Sequence, residues 1–273
     1  YGRGLMPDTF LDFKKQRSRW AFGAMQILRR HFDALIHGRD TGLTAGQRYH
    51  FVAGWLPWLA DGFNLLVNLA ALTWSLVMVL FPRHIEPPLM LFSVLPLSLF
   101  LFKLVKLLHL YRARVGATFT QTIAAAIAGL GLSHTVGSAM LSGFVNKDRP
   151  FFRTPKRTTR HAWLQSLAAA REEAVLMCGL WLAAFAVSSI PQMDGDQPGL
   201  VGSPDLTVWV TVLLVQSIPY AAAVIVSLVS SLQLRGDWIG EARDPVFDAS
   251  AAAAEPDLDS VATGTSTLPV GSL

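Results

Sequence analysis

The chain has 273 residues, 52% of them hydrophobic and only 15% charged, with a formal net charge of +4. Soluble domains carry roughly a quarter of their residues charged. With a mean hydropathy of +0.39, this composition excludes an ordinary soluble enzyme and points to a bilayer. The one cysteine, Cys178, cannot form an intrachain disulfide and is expected to be a small buried hydrophobe. The sequence opens on Tyr1 with its first methionine at Met6, and no basic-then-apolar signal segment precedes the first element. A preceding part of the protein is therefore expected to be missing.

Residues 1–50 predict an amphipathic region rather than a span. Asp8 and Thr9 are good caps for a helix starting near Phe10. Phe13, Trp20, Ala24, Ile27, Leu28, Phe32 and Leu35 recur at helical spacing, with Lys14, Lys15, Arg17, Arg29 and Arg30 on other faces. Such a helix is expected to lie in the plane of the membrane surface. On it Gln16, Arg19 and Trp20 stand at i, i+3 and i+4 and share a face. A planar guanidinium can hold two diphosphate oxygens at once. An indole stacks on the C–H face of a sugar, and a glutamine amide can donate to and accept from hydroxyls. In isolation, Trp20 as an interfacial anchor and Arg19 as a lipid-phosphate contact explain the same residues.

Residues 51–235 form the membrane region. A span needs about 20 apolar residues, and five stretches compete. Four spans are predicted, near 62–81, 89–110, 174–190 and 206–234, with Lys103 and Lys106 expected to emerge into the headgroups. The fifth stretch, 117–144, is rich in small residues and carries Gln121 and His134. If it crossed, the basic loop 146–171 would lie outside. If it is interfacial, Arg83 is the one basic residue left outside, which is the arrangement the positive-inside bias expects. The prediction is thus four spans plus an interfacial segment, with the N-terminal region, the basic loop and the C-terminal tail cytoplasmic.

Within the first span Asp61, Asn64, Asn68 and Ser75 share a face, flanked by Trp55, Trp58 and Trp74. A polar stripe in a span faces the bundle interior or a watery cavity. It suits a polymer channel, with Trp55, Trp58, Asp61, Asn64 and Asn68 as its lining, and it equally suits helix–helix hydrogen bonding. In the last span Gln216, Ser217 and Tyr220 around Pro219 could join the path, but a proline kink explains them as well.

The basic loop contains Phe151-Phe152-Arg153-Thr154-Pro155-Lys156. Lys156 offers a point charge for a diphosphate, Thr154 a hydroxyl and Phe151 a stacking face. A juxtamembrane basic cluster drawn to anionic lipid is the bland reading. The pair Glu172-Glu173 is expected to be a solvated start to the third span, its members about 100° apart on a helix. Residues 236–273, without an aromatic after Phe247, are too polar to bury a core and are expected to be a disordered cytoplasmic tail. The histidines show no metal-ligand spacing, so no metal site is expected within the chain.

Gln16-Arg17-Ser18-Arg19-Trp20 matches the Q-x-x-R-W pattern, and 151–156 matches F-x-V-T-x-K except for Arg153 in place of Val. In that order, with spans between them, the two motifs resemble the C-terminal half of processive family-2 glycosyltransferases. The run 131–156 and the approach Gly2–Phe10 are more similar to the bacterial β-glucan branch than to cellulose synthases. The resemblance implies an all-α membrane bundle from which an upstream GT-A nucleotide-sugar domain is missing. In it Trp20 floors the acceptor site, and Gln16, Arg19, Phe151, Thr154 and Lys156 face the nucleotide diphosphate. The implied partners are a UDP-sugar donor, a growing glucan chain and membrane lipids, with no nucleic acid. No cofactor is implied within these residues; Mg or Mn would sit in the missing domain with the catalytic base, so the fragment alone should be inactive. The implied location is the bacterial inner membrane. A small transporter or lipid-binding module is the alternative.

Overall fold

The computed structural model describes residues 9–38, 42–88, 90–146, 164–165, 168–193 and 204–240. Among the described residues there is no strand. The elements are α1 (Phe10–Arg30), a π-helical turn (Asp33–His37), α2 (Ala45–Leu80), α3 (Met90–Leu110), a second π-helical turn (Tyr111–Val115), α4 (Phe119–Gly131), α5 (Ser133–Val145), α6 (Arg171–Met193) and α7 (Pro204–Gly240). Among the described residues, four helical segments are long and apolar enough to cross a membrane: Ala45–Leu80, Phe119–Val145, Arg171–Ile190 and Pro204–Leu232. The chain is thus all-helical where described, and these segments are consistent with a multi-pass membrane protein.

These four are not the four predicted spans. Three coincide with them, and the other is the stretch predicted to be interfacial. Met90–Leu110, the second predicted span, is a helix of 21 residues. Phe119–Val145 is two 13-residue helices interrupted at Leu132, which closes the turn onto Gly129 O. Each half is only about 20 Å long, against roughly 30 Å of bilayer hydrocarbon.

The predicted start of the first span, near 62, lies deep inside a helix. A Thr44–Gln47 capping box opens α2 at Ala45, and it continues through Pro57 for 36 residues, about 54 Å at the usual rise. The last predicted span likewise extends, as α7, to Gly240. The rest of the predicted tail lies outside the described residues.

Two apolar clusters hold the described bundle together. One joins α2, α6 and α7 through residues such as Met78, Leu180, Val187, Trp209 and Leu213. The other packs Phe10, Ala21, Phe22 and Met25 of α1 against Val136, Ala139 and Met140 of α5, with Ala223 of α7. Glycines let these helices meet at backbone distance. A Cβ on Gly137 would sit 2.5 Å from Asp61 O, and one on Gly143 would sit 2.9 Å from Met25 Cβ.

α1 begins where its cap predicts: Thr9 Oγ1 accepts from the Asp12 N–H. Its buried face differs from the predicted one. Phe10, Ala21, Phe22, Ala24 and Met25 are buried, whereas Trp20, Ile27 and Phe32 are exposed. The helix also stops at Arg30, and Leu35 is buried from the following π-helical turn. The reason for the different face is the breadth of the apolar arc of α1, which leaves its rotation to its contacts. Cys178 is exposed on α6 rather than buried, because its neighbour Leu180 takes the position turned into the core.

Candidate functional site

The motif residues Gln16, Arg19 and Trp20 lie in the middle of α1, as their helical spacing predicts. Trp20 is 49% exposed. The guanidinium of Arg17 lies 4.7 Å from its ring centre and 5.0 Å from that of Phe13. Arg17 is thus a cation clamped between aromatics one turn to either side of it, a contact worth about 0.5–1 kcal/mol at an exposed site. It fills one of the motif's free positions and was not singled out in the sequence. The i−4 and i+3 spacing of Phe13 and Trp20 about Arg17 was the available signal. Phe151, Thr154 and Lys156 lie outside the described residues.

Polar side chains dock α1 on the bundle at two places. Near its start, Lys14 Nζ donates to Ala169 O at 2.6 Å and to Glu173 Oε1 at 2.6 Å. His134 Nδ1 lies 3.1 Å from the same oxygen. Near its end, Gln26 Nε2 donates to Gly143 O (2.9 Å) and Asn146 O (2.7 Å), and Arg29 Nη1 donates to the same two carbonyls at 3.0 and 3.3 Å. These donors satisfy carbonyls that the end of α5 leaves open, where a cation also suits the helix dipole. Lys14 thus shares the Glu173 oxygen with His134 at the start of α5 while Gln26 meets its end, so α1 and α5 run side by side in the same direction.

Glu173 was expected to be solvated, and it is fully buried, while Glu172 is exposed. The roughly 100° step between neighbours on a helix separates them, and Lys14 and His134 supply the compensation that a buried carboxylate requires. Lys103 was likewise expected among headgroups. Its ammonium turns inward, bonded to Asp61 and at 2.9 Å to Ser133 Oγ. Its alkyl stem lets it reach back into the bundle from the last turns of α3.

The predicted stripe on α2 is present as a face and is largely taken up by neighbouring helices. Asn68 Nδ2 donates to Tyr220 OH at 2.8 Å, and Trp209 Nε1 donates to Ser75 Oγ at 3.1 Å, both buried. Asp61 is held by Lys103, and Asn64 is half-buried on the same side. The flanking tryptophans go elsewhere. The Trp55 ring packs 4.1 Å from that of Phe51, Trp58 packs beside the α1–α5 cluster, and Trp74 Nε1 donates to Glu86 O.

The partners of the stripe on α7 include Tyr220 but not Ser217, whose hydroxyl takes the Trp181 N–H of α6 at 2.9 Å. Gln216 is 1% exposed with neither amide atom hydrogen-bonded, and Asn68 Oδ1 and Glu173 Oε2 are also buried without a partner. These four open polar atoms, on α2, α6 and α7, are an unusual expense in an apolar bundle.

No protein-family model matches the chain, and neither a curated protein nor a solved structure is significantly similar to it.

Proposed function

We propose that this chain is the membrane-embedded channel and acceptor-binding part of an inverting, processive β-glycosyltransferase. It would make and extrude a β-glucan-type polysaccharide from a UDP-sugar at the bacterial inner membrane. The observation that carries the reading is the ordered pair of motifs, Q-x-x-R-W at 16–20 and the F-x-V-T-x-K-like run at 151–156. The disposition of α1 supports it. A half-exposed indole beside three guanidinium- or amide-bearing residues is a surface able to receive both a sugar face and a diphosphate. Trp20 takes the acceptor. Gln16 and Arg19, with Phe151, Thr154 and Lys156 of the basic loop, take the nucleotide diphosphate.

The polymer path in this reading follows the α2–α7 seam past Asp61, Asn64 and Asn68, with Trp55 and Trp58 near its cytoplasmic mouth. The open amide atoms of Asn68 and Gln216 are the groups that sugar hydroxyls would meet. Proton abstraction and the divalent metal belong to an upstream nucleotide-sugar domain, so this part alone does not catalyse.

The test is Trp20→Ala in the intact enzyme that contains this chain. Polymer synthesis should be abolished while the protein still reaches the membrane. A wild-type yield of polymer sinks the acceptor assignment.

The second reading, a transporter or lipid-binding module without enzymatic activity, draws on one observation: the stripe is occupied by helix–helix bonds such as Asn68–Tyr220. Amine-reactive labelling of Lys156 separates the two. Protection by UDP is expected of the synthase, and protection by anionic lipid but not UDP is expected of the module.

A further inference from the structure

Lys14 occupies an unusual place on α1. At 100° per residue, the apolar side chains of this helix cover an arc about 220° wide, from Ile27 and Trp20 round to Phe22. A helix docked on one side cannot bury all of that arc, so two rotations compete. One centres the buried face on Phe10, Ala21 and Met25, with Lys14 in its midst. The other centres it on Phe13, Trp20 and Ala24, with Lys14 at its margin.

Apolar area alone does not separate these settings, and burying a lysine argues against the first. The first is nevertheless the one adopted. Ala21 is fully buried and Met25 nearly so, while Trp20 stands half exposed. The Lys14 side chain, only 12% exposed, ends on the fully buried Glu173. Glu173 gives a single oxygen to Lys14 and His134 and leaves its other oxygen open.

We propose that Glu173 is a positioning residue: by pairing with Lys14 it selects the rotation of α1, and that rotation keeps Trp20 at the surface. Gln26 and Arg29, bonded to the carbonyls at the end of α5, hold the far end of α1 in the same setting. Without the carboxylate, Lys14 is an unpaired buried charge, a strongly destabilising state. The helix relieves it by rolling Lys14 out, which carries Met25 outward beside Arg29 and turns Trp20 inward. That Trp20 then loses an acceptor sugar rests on the function proposed above; the rotation itself does not.

The experiment is thiol labelling by a water-soluble maleimide in isolated membranes, in a Cys178→Ala background. Met25→Cys is the probe, and Lys15→Cys, on the outer side in either rotation, is the control. With Glu173 intact, position 25 should label slowly. Adding Glu173→Gln should speed it roughly tenfold, the population change that corresponds to about 1.4 kcal/mol, with the control unchanged. An unaltered rate at position 25 overturns the proposal.

Adding Lys14→Met to Glu173→Gln removes the charge that drives the roll, so slow labelling should return. This double variant also covers the case in which Glu173→Gln alone fails to accumulate. Fast labelling in the double variant, or its own failure to accumulate, overturns the proposal. Polymer yield in the intact enzyme is read separately. A rolled α1 with normal yield refutes the acceptor role of Trp20 and leaves the rotation standing.

Discussion

Asp61 and Lys103 show how little a residue type reveals about its surroundings. The polar stripe on α2 is visible in the sequence as a spacing, yet the partner of Asp61 comes from α3, 42 positions away, through a lysine expected in the headgroups. Removing one member of such a pair is costly because the other charge stays buried, while replacing both by apolar groups can be neutral. Lys103→Leu is therefore expected to destabilise the protein by about 3–5 kcal/mol, and Lys103→Leu with Asp61→Leu by much less. Thermal unfolding in detergent measures both, and additive losses would show that the pair is not coupled. The same reasoning explains the correction at Glu173. A carboxylate at the start of a span is solvated by default, and partners brought from α1 and α5, Lys14 and His134, make its burial tolerable.

Among the helices, close approach is decided by glycine. Gly137 lets α5 lie against the backbone of α2 at Asp61 and Gly62. A methyl group there must push two helices apart, so Gly137→Ala is expected to cost about 1–3 kcal/mol, the usual range for overpacking. Gly129 on α4 has only a Leu107 methyl at 3.6 Å from the corresponding position. Gly129→Ala should therefore be neutral, or stabilising by about 0.5–1 kcal/mol through helix propensity. Equal thermal shifts for the two variants would contradict the packing described. Helix starts were legible, since Thr9 caps α1 as its sequence implies. The start of α2 was not, because the Thr44–Gln47 capping box precedes the apolar run that marked the span.

For the whole molecule, the question is whether Phe119–Val145 crosses the bilayer. Its length and hydropathy allow it. Its company argues otherwise: α5 runs beside α1, which carries Asp12, Lys14, Lys15, Arg17, Arg19, Arg29 and Arg30 in 21 residues. Charges at the bilayer centre are expensive, so α1 is not expected to cross, and α5 shares its direction. Residues 116 and 146 are accordingly expected on the same side of the membrane. Single cysteines at these positions, labelled from either face of sealed vesicles, should respond alike; opposite responses would make 119–145 a span. Ends on one side also suit the positive-inside bias, under which the basic loop 146–171 is expected to be cytoplasmic.

Composition and periodicity determine the class of this protein, because hydropathy and helical spacing are properties of the chain itself and act over one or two turns. The membrane character, the helices and the shared face of Gln16, Arg19 and Trp20 follow from them, as does the alignment of Asn68 with Ser75. Which side of a helix is buried is another matter. The apolar arc of α1 is too broad to choose, and the choice between exposing Trp20 and exposing Met25 falls to Glu173, 159 residues from Lys14. Cys178, Lys103 and the Asn68–Tyr220 bond follow the same rule. Their settings depend on which helices become neighbours, and a contact between helices is a property of the assembled bundle alone.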